Sequence, residues 1–179
     1  EWAANIIGTG RRVLDFACGI GYGAKILADA GNSVIGIDRN VEAVAYGQVH
    51  YDHPQVGLVA GTLADYVPPM RNFDVAVSFE TIEHLEDPVS ALKLLHQAAD
   101  RLIASVPNEE RFPYQGQKFH HRHYTRQEFS DLLAEAGWRV TGWFGQADKF
   151  NEVEPEMNGR TVIVTAEHAD GVQKPVPVP

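Results

Sequence analysis

The chain has 179 residues, 44% of them hydrophobic, with a net charge of −9 and one cysteine, Cys18. That length suits a single domain with a substantial core, and one cysteine excludes an internal disulfide or a thiolate metal cluster and fits a reducing compartment. The acidic balance argues against tight nonspecific binding to nucleic acid, where affinity comes from Lys and Arg neutralising phosphates. The charge is also uneven: residues 1–90 carry 5 basic and 12 acidic side chains, residues 91–179 carry 10 and 12. There is no apolar run of the roughly 18 residues that a membrane span needs and no cleavable leader, so a cytoplasmic protein with no membrane partner is expected. The first residue is Glu1 rather than methionine, which predicts that N-terminal residues were removed or lie outside this sequence.

In chain order, residues 2–7 read as the end of a short helix before Gly8 and Gly10, and residues 11–17 as a buried strand. A glycine turn follows, then a helix over 21–30 with Gly31 at the position where helices commonly end in a left-handed residue. Residues 33–38 form a second apolar strand ending in an acid. Asn40 caps the next helix, which runs towards His50. Strands are expected over 56–60 and 73–79, with Pro68-Pro69 ending any regular structure between them. Asp87-Pro88 opens a helix to about residue 99, and a fifth strand covers 101–106. After a polar and aromatic loop over 109–124, Thr125-Arg-Gln-Glu128 matches a capping box, stapled by Tyr124 and Phe129, and starts a helix to residue 136. Residues 138–144 and 161–166 are two more strands, separated by the acidic loop 151–159.

Strands alternating with helices call for an open sheet covered on both faces. The expected fold is therefore α/β, Rossmann-like and doubly wound. Its mostly parallel sheet has seven strands, and the last is antiparallel because a hairpin closes the chain. The domain is expected to span 1–168, followed by an extended Pro-rich tail over 169–179. Ligands in such sheets sit outside the carboxyl ends of the strands, and Asp15, Asp38, Gly61, Phe79 and Pro107 fall there.

The stretch Val13-Leu-Asp-Phe-Ala-Cys-Gly-Ile-Gly-Tyr-Gly23 joins a strand, a tight turn and a helix start. Glycines let a ligand approach the backbone, and the helix start supplies free N–H groups. A dinucleotide fingerprint is G-x-G-x-x-G, whereas the spacing here is G-x-G-x-G with Asp15 four residues before Gly19. A carboxylate at that point would repel a pyrophosphate but suits a ligand carrying an ammonium and a sulfonium. Asp38, 19 residues after Gly19, is in place to accept hydrogen bonds from two ribose hydroxyls; a helix-cap or turn role is the competing reading.

These residues resemble the class I S-adenosylmethionine-dependent methyltransferases. The glycine stretch is similar to the family's first motif and Val34-Ile-Gly-Ile-Asp38 to its second. The segment Phe73-Asp-Val-Ala-Val-Ser-Phe-Glu-Thr-Ile-Glu-His-Leu-Glu-Asp-Pro88 resembles the branch that includes ubiquinone-biosynthesis O-methyltransferases, as do Ser105-Val-Pro-Asn108 and Phe119-His-His-Arg-His-Tyr-Thr125. The resemblance implies S-adenosylmethionine as cofactor and S-adenosylhomocysteine as product. It implies that Asp15, Ala17, Gly19 and Gly21 surround the methionine part, that Asp38 holds the ribose with Arg39 beside the adenine, and that Phe79 lines the methyl-donor pocket. Leu63 would offer backbone near the adenine amine. Thr62 stands where many members have an acid, so adenine recognition there would pass to the backbone or to Asp65.

Methyl transfer needs alignment, and a hydroxyl acceptor also benefits from a base. His84, His120, His121 and His123 are the candidates, each with a structural loop hydrogen bond as the competing role. No metal site is expected. The loop 111–126 interleaves Arg111, Lys118, Arg122 and Arg126 with Phe112, Tyr114, Phe119 and Tyr124, which suggests either a solvated loop or a lid for a ringed or anionic acceptor. Amino-methylating nucleic-acid enzymes carry an Asp/Asn-Pro-Pro-aromatic motif where this chain has Ser78-Phe-Glu-Thr81, and cytosine-C5 enzymes need a cysteine outside the cofactor turn. A small-molecule acceptor, with no nucleic-acid partner, is therefore expected. The alternative is an S-adenosylmethionine-binding module without catalysis of its own, a sensor or subunit, motivated by the short stretch before the first motif.

Overall fold

The computed structural model of the chain describes residues 1–66 and 72–171. The elements are α1 (Trp2–Ile7), β1 (Arg12–Phe16), α2 (Tyr22–Asp29), β2 (Ser33–Asp38), α3 (Val41–His50), β3 (Val56–Ala60) and α4 (Leu63–Tyr66). The second half holds β4 (Phe73–Phe79), a 3-10 turn (Ile82–His84), α5 (Pro88–Ala98), β5 (Ala99–Pro107), α6 (Arg126–Glu135), β6 (Trp138–Gln146), β7 (Val153–Pro155) and β8 (Thr161–His168). They form one sheet in the order β3-β2-β1-β4-β5-β8-β6-β7. The first five strands run parallel; β8 is antiparallel to both β5 and β6, as a closing hairpin requires. No helix among the described residues is long and apolar enough to cross a membrane.

Alternation along the strands divides the core into two layers. Val13, Val34, Val75 and Ile103 pack against α1 and α2 on one face. Leu14, Ala76, Leu102 and Ala104 pack against Leu92 and Leu95 of α5 and Phe129 and Leu133 of α6 on the other. Trp138, buried where β6 begins, donates its indole N–H to the Leu92 carbonyl at 3.0 Å and so locks α5 to the sheet. The helix starts follow their sequence signals. Asn40 accepts the Glu42 and Ala43 N–H groups at 3.1 Å, Asp87 accepts the Ser90 N–H, and Thr125 and Glu128 form the reciprocal capping box with the Tyr124 ring tilted against Phe129.

The expected doubly wound sheet is present with one strand more than the seven expected. Within the stretch read as an acidic loop, Val153–Pro155 pairs with Phe144, Gly145 and Gln146 of β6. Glutamates and a proline hide a strand from propensity, yet an edge strand tolerates both because one of its rows of backbone groups faces solvent. Strands β5 and β8 run longer than their apolar cores because each extends on the other, from Arg101 opposite Glu167 to Pro107 opposite Thr161. The chain continues past β8 with the Ala169 N–H on the Gly137 carbonyl. The expected Pro68-Pro69 break and the end of the expected tail, residues 172–179, lie outside the described residues.

Between β1 and β4 the strand order reverses, and the helices on either side part at the carboxyl edge of the sheet. The glycine turn there is held from behind by α3. A Cβ on buried Gly47 would stand 2.3 Å from the Ile20 carbonyl oxygen, which belongs to that turn. Replacing an exposed helical glycine by alanine gains up to about 1 kcal/mol, whereas Gly47→Ala is expected to lower unfolding free energy by about 1–3 kcal/mol in a denaturant titration, because backbone must move. An increase in stability would show that α3 does not abut the turn this closely.

Candidate functional site

A cavity of about 460 Å³ with a mainly apolar wall opens at the switch point. Its wall combines Phe16 and Ala17 after β1, Ile37, Asp38 and Arg39 after β2, Gly61, Thr62 and Leu63 after β3, and Phe79, Glu80 and His84 after β4. Of the expected cofactor residues, Ala17, Asp38, Arg39, Thr62, Leu63 and Phe79 line it directly. Asp15, Gly19 and Gly21 are not among the lining residues and act one step removed. The Gly19 N–H is given to the Asp38 carboxylate at 2.8 Å, and the other Asp38 oxygen accepts the Asn40 N–H at 2.8 Å. Asp38 is thus a turn-organising acid that also lines the cavity. Asp65 is outside the wall, its carboxylate holding the Thr62 hydroxyl and N–H.

Backbone strain marks the same place. Ala17 (φ 59°) and Glu80 (φ 48°) are non-glycine residues in the left-handed region, and both line the cavity. Such conformations cost of order 1–3 kcal/mol and persist where surroundings over-determine them. At Glu80 the surroundings are visible: its N–H meets the Ser105 hydroxyl at 3.0 Å, and its carboxylate accepts that hydroxyl's proton at 2.7 Å. At Gly21 (φ 79°) a Cβ would run into Leu58 at 2.6 Å, so the turn needs glycine there on both counts.

Three acids at this edge are held above their ordinary range. Burial, with the nearby Asp38 charge, pushes the Asp15 carboxyl up to about 7. Burial, with Glu80 beside it, pushes Glu83 up to about 8. Burial also raises Glu80, against the opposing pull of the Ser105 hydroxyl and of His123 and His84. Glu83 is 1% exposed, and neither of its carboxyl oxygens has a hydrogen-bond partner. Cys18 is inert by comparison: burial, Asp15 and Asp38 push its thiol up to about 12, and its sulfur packs against Gly36.

The four expected histidines separate. His84 lines the main cavity, and with His120, His121, Arg39 and Phe119 it also lines an adjoining one of about 610 Å³. His121 is tied by its backbone, donating its N–H to the Glu83 carbonyl. His123 is buried and lines neither space. Hydrogen bonds to carbonyls assign the tautomers, since a carbonyl can only accept. The Phe119 carbonyl, 2.9 Å from His84 Nδ1, puts a proton there, so that in the neutral ring Nε2 is the bare nitrogen. The Phe112 carbonyl, 2.6 Å from His123 Nδ1, leaves His123 Nε2 to accept from His120 Nδ1 at 2.8 Å, so His120 also keeps a bare Nε2. Burial, then His84 and His123, lower the His120 pKa and keep that ring neutral.

Glu80 and Glu83 are not among the expected site residues. The available signal was two acids three residues apart, directly after an apolar strand and before a histidine. Together Glu83, His84 and His120 bring potential metal-ligand atoms within 4.8 Å of one another, whereas His121 and His123 do not join them.

A parallel sheet with a glycine turn after β1, an acid after β2 and a cavity at its switch point defines the class I S-adenosylmethionine-dependent methyltransferase fold. Residues 2–142 match the model of the methyltransferase domain family described as Methyltransf_23, and the chain belongs to that family. It is 36% identical over 143 residues to a Mycolicibacterium smegmatis protein described as a probable S-adenosylmethionine-dependent methyltransferase, covering 76% of this chain and 55% of that one. It is 33% identical over 95 residues to the ubiquinone biosynthesis O-methyltransferase of Pseudomonas aeruginosa, covering 49% and 39%. The chain thus spans about half or less of the length of these relatives. Among solved structures it is similar to the small RNA methyltransferase HEN1, with TM-score 0.74 at 22% identity over 97% of this chain and 25% of that one.

The residues present fit the cofactor of that fold. Asp15 is buried, forms no ion pair among the described residues and is held largely by burial near half-protonation at neutral pH; a cation placed beside it would favour its ionised form. A carboxyl whose folded pKa lies above its unfolded value costs the ligand-free protein stability as pH rises from about 4 through about 7. If the ionised form of Asp15 faces the cationic part of S-adenosylmethionine, binding should strengthen over the upper part of that window. Asp15→Asn is expected to weaken S-adenosylmethionine binding about tenfold or more at pH 8 by calorimetry while raising the melting temperature of the free protein. Equal affinity in variant and wild type would take Asp15 out of the site.

Proposed function

We propose that the protein transfers a methyl group from S-adenosylmethionine to a hydroxyl of a small molecule in the cytoplasm. The observation that carries this reading is the pair of bare Nε2 atoms on His84 and His120 beside the cofactor cavity, each fixed in that state by a chain of hydrogen bonds ending on a backbone carbonyl. When bound, S-adenosylmethionine supplies an activated methyl group, so alignment is the main contribution of the protein and a base the second. Phe79 and Ala17 shape the wall, and Asp38 is oriented by two backbone N–H groups to receive hydroxyls. His84 or His120 takes the proton of the acceptor hydroxyl. For His120 the displaced charge is shared with His123 and the Phe112 carbonyl. Burial keeps Glu83 protonated at neutral pH. It therefore adds no charge beside the bases, and His84 Nε2 stands 3.7 Å from it.

A hydroxyl acceptor agrees with the O-methyltransferase name of the ubiquinone-biosynthesis relative. A small RNA, the substrate class in the name of the structural neighbour, is disfavoured by a net charge of −9 concentrated in the half that carries β1 to β4. The test is a screen for S-adenosylhomocysteine release with hydroxylated small molecules, amines and short RNAs as separate arms. Turnover on a hydroxylated compound is expected, with His120→Gln lowering kcat by about 10²-fold and leaving S-adenosylhomocysteine affinity in place. Turnover confined to the RNA arm would overturn the acceptor class. Cofactor binding without turnover in any arm would favour a sensor or subunit.

A further inference from the structure

A third cavity, about 440 Å³, lies on the far side of Glu80. Glu80 lines both this space and the cofactor cavity, so the two meet at this residue. The rest of the wall comes from Phe112 in the loop after β5, from Asp148, Lys149 and Phe150 between β6 and β7, and from Arg160 just before β8. Its charges are unevenly committed. The Asp148 carboxylate accepts the Phe150 N–H at 2.8 Å, so it serves its own turn. Glu80 is engaged by Ser105. Arg160 and Lys149, by contrast, form no ion pair among the described residues, although the chain as a whole carries nine excess negative charges.

The two cations rest on rings. The Arg160 guanidinium lies 4.1 Å over Phe112, and the Lys149 ammonium 4.9 Å from the centre of Phe150, whose ring is 86% exposed. A large apolar side chain left that exposed, beside two cations without carboxylate partners, is a surface prepared for a flat anionic ligand. Phe112 also connects this space to the bases, because its carbonyl ends the His120–His123 relay and its ring packs 5.1 Å from His123.

We propose that this cavity receives the far end of the methyl acceptor, and that this end is a planar ring bearing a carboxylate or phosphate, paired with Arg160 and Lys149 and flanked by Phe112 and Phe150. The acceptor then reaches past Glu80 to present its hydroxyl to the cofactor cavity. The inference rests on the methyl-transfer reading for the role of the occupant, but the binding preference stands on the cavity alone. It also moves the anion-binding role from the loop 111–126, where Arg126 instead holds Glu156 and the Met157 carbonyl, to Arg160 and Lys149.

Ligand-observed NMR titrations with benzoate, phenyl phosphate and neutral benzamide test this directly, on the wild type and on Arg160→Gln, Arg160→Lys and Lys149→Gln. Benzoate or phenyl phosphate is expected to bind at least fivefold more tightly than benzamide, and the stronger of the two identifies the anion. Arg160→Gln should remove most of that preference, and Arg160→Lys should restore part of it. Benzamide binding as tightly as both anions, absence of any anion binding, or a preference unchanged in Arg160→Gln would overturn the proposal. S-adenosylhomocysteine affinity measured on the same samples separates the two readings. If it is intact while the anion preference is missing, the subsite falls alone; if it is absent in a wild type that still selects anions, the cofactor reading falls alone.

Discussion

The hydrogen bond from the Gly19 N–H to the Asp38 carboxylate ties together the two halves of the binding edge. It joins the turn after β1 to the end of β2, while the second Asp38 oxygen starts α3 through Asn40. The Cys18 N–H on the Ile37 carbonyl repeats the link one residue away. With the turn fixed in this way, Gly21 begins α2 against Leu58 and Gly47 lets α3 close on Ile20. One oriented carboxylate therefore sets the turn, the helix behind it and the cavity wall. A neutral amide there would keep only one of the two bonds, because its NH2 would face the other backbone N–H.

An electrostatic cost is gathered at the same edge. Asp15, Glu80 and Glu83 are each pushed upward, chiefly by burial, within a chain that is already acidic. A fold under selection for stability alone would not bury two carboxyls, Asp15 and Glu83, at the same sheet edge, and perturbed groups of this kind concentrate where chemistry is done. Two left-handed non-glycine residues sit among them. The stability lost there is offset by the two apolar layers of the sheet, whose central strands are almost fully buried. The site is thus charged but shielded, which strengthens any interaction with a cation entering it.

Much of this was legible in the sequence because the signals were local. Asn40, Asp87 and Thr125 cap their helices as their residue types foretell, and apolar strands ending in acids located both Asp15 and Asp38. The strand Val153–Pro155 was not legible, since its pairing partner lies in β6 and its own residues argue against a strand. Nor were the individual roles of the histidines. Which of them keeps a bare nitrogen depends on the carbonyls of Phe112 and Phe119, and those depend on how the loop between β5 and α6 folds back over the 3-10 turn. Arg160 was equally hidden, because its neighbours in space, Phe112 and Lys149, come from other loops.

The central claim is that the edge of the sheet is built for a positively charged nucleoside and not for a pyrophosphate. Calorimetric titration of the same protein with S-adenosylmethionine and with NAD at pH 8 tests it most directly. Saturable binding of S-adenosylmethionine with no detectable binding of NAD is the predicted result, and binding of NAD with none of S-adenosylmethionine would contradict it.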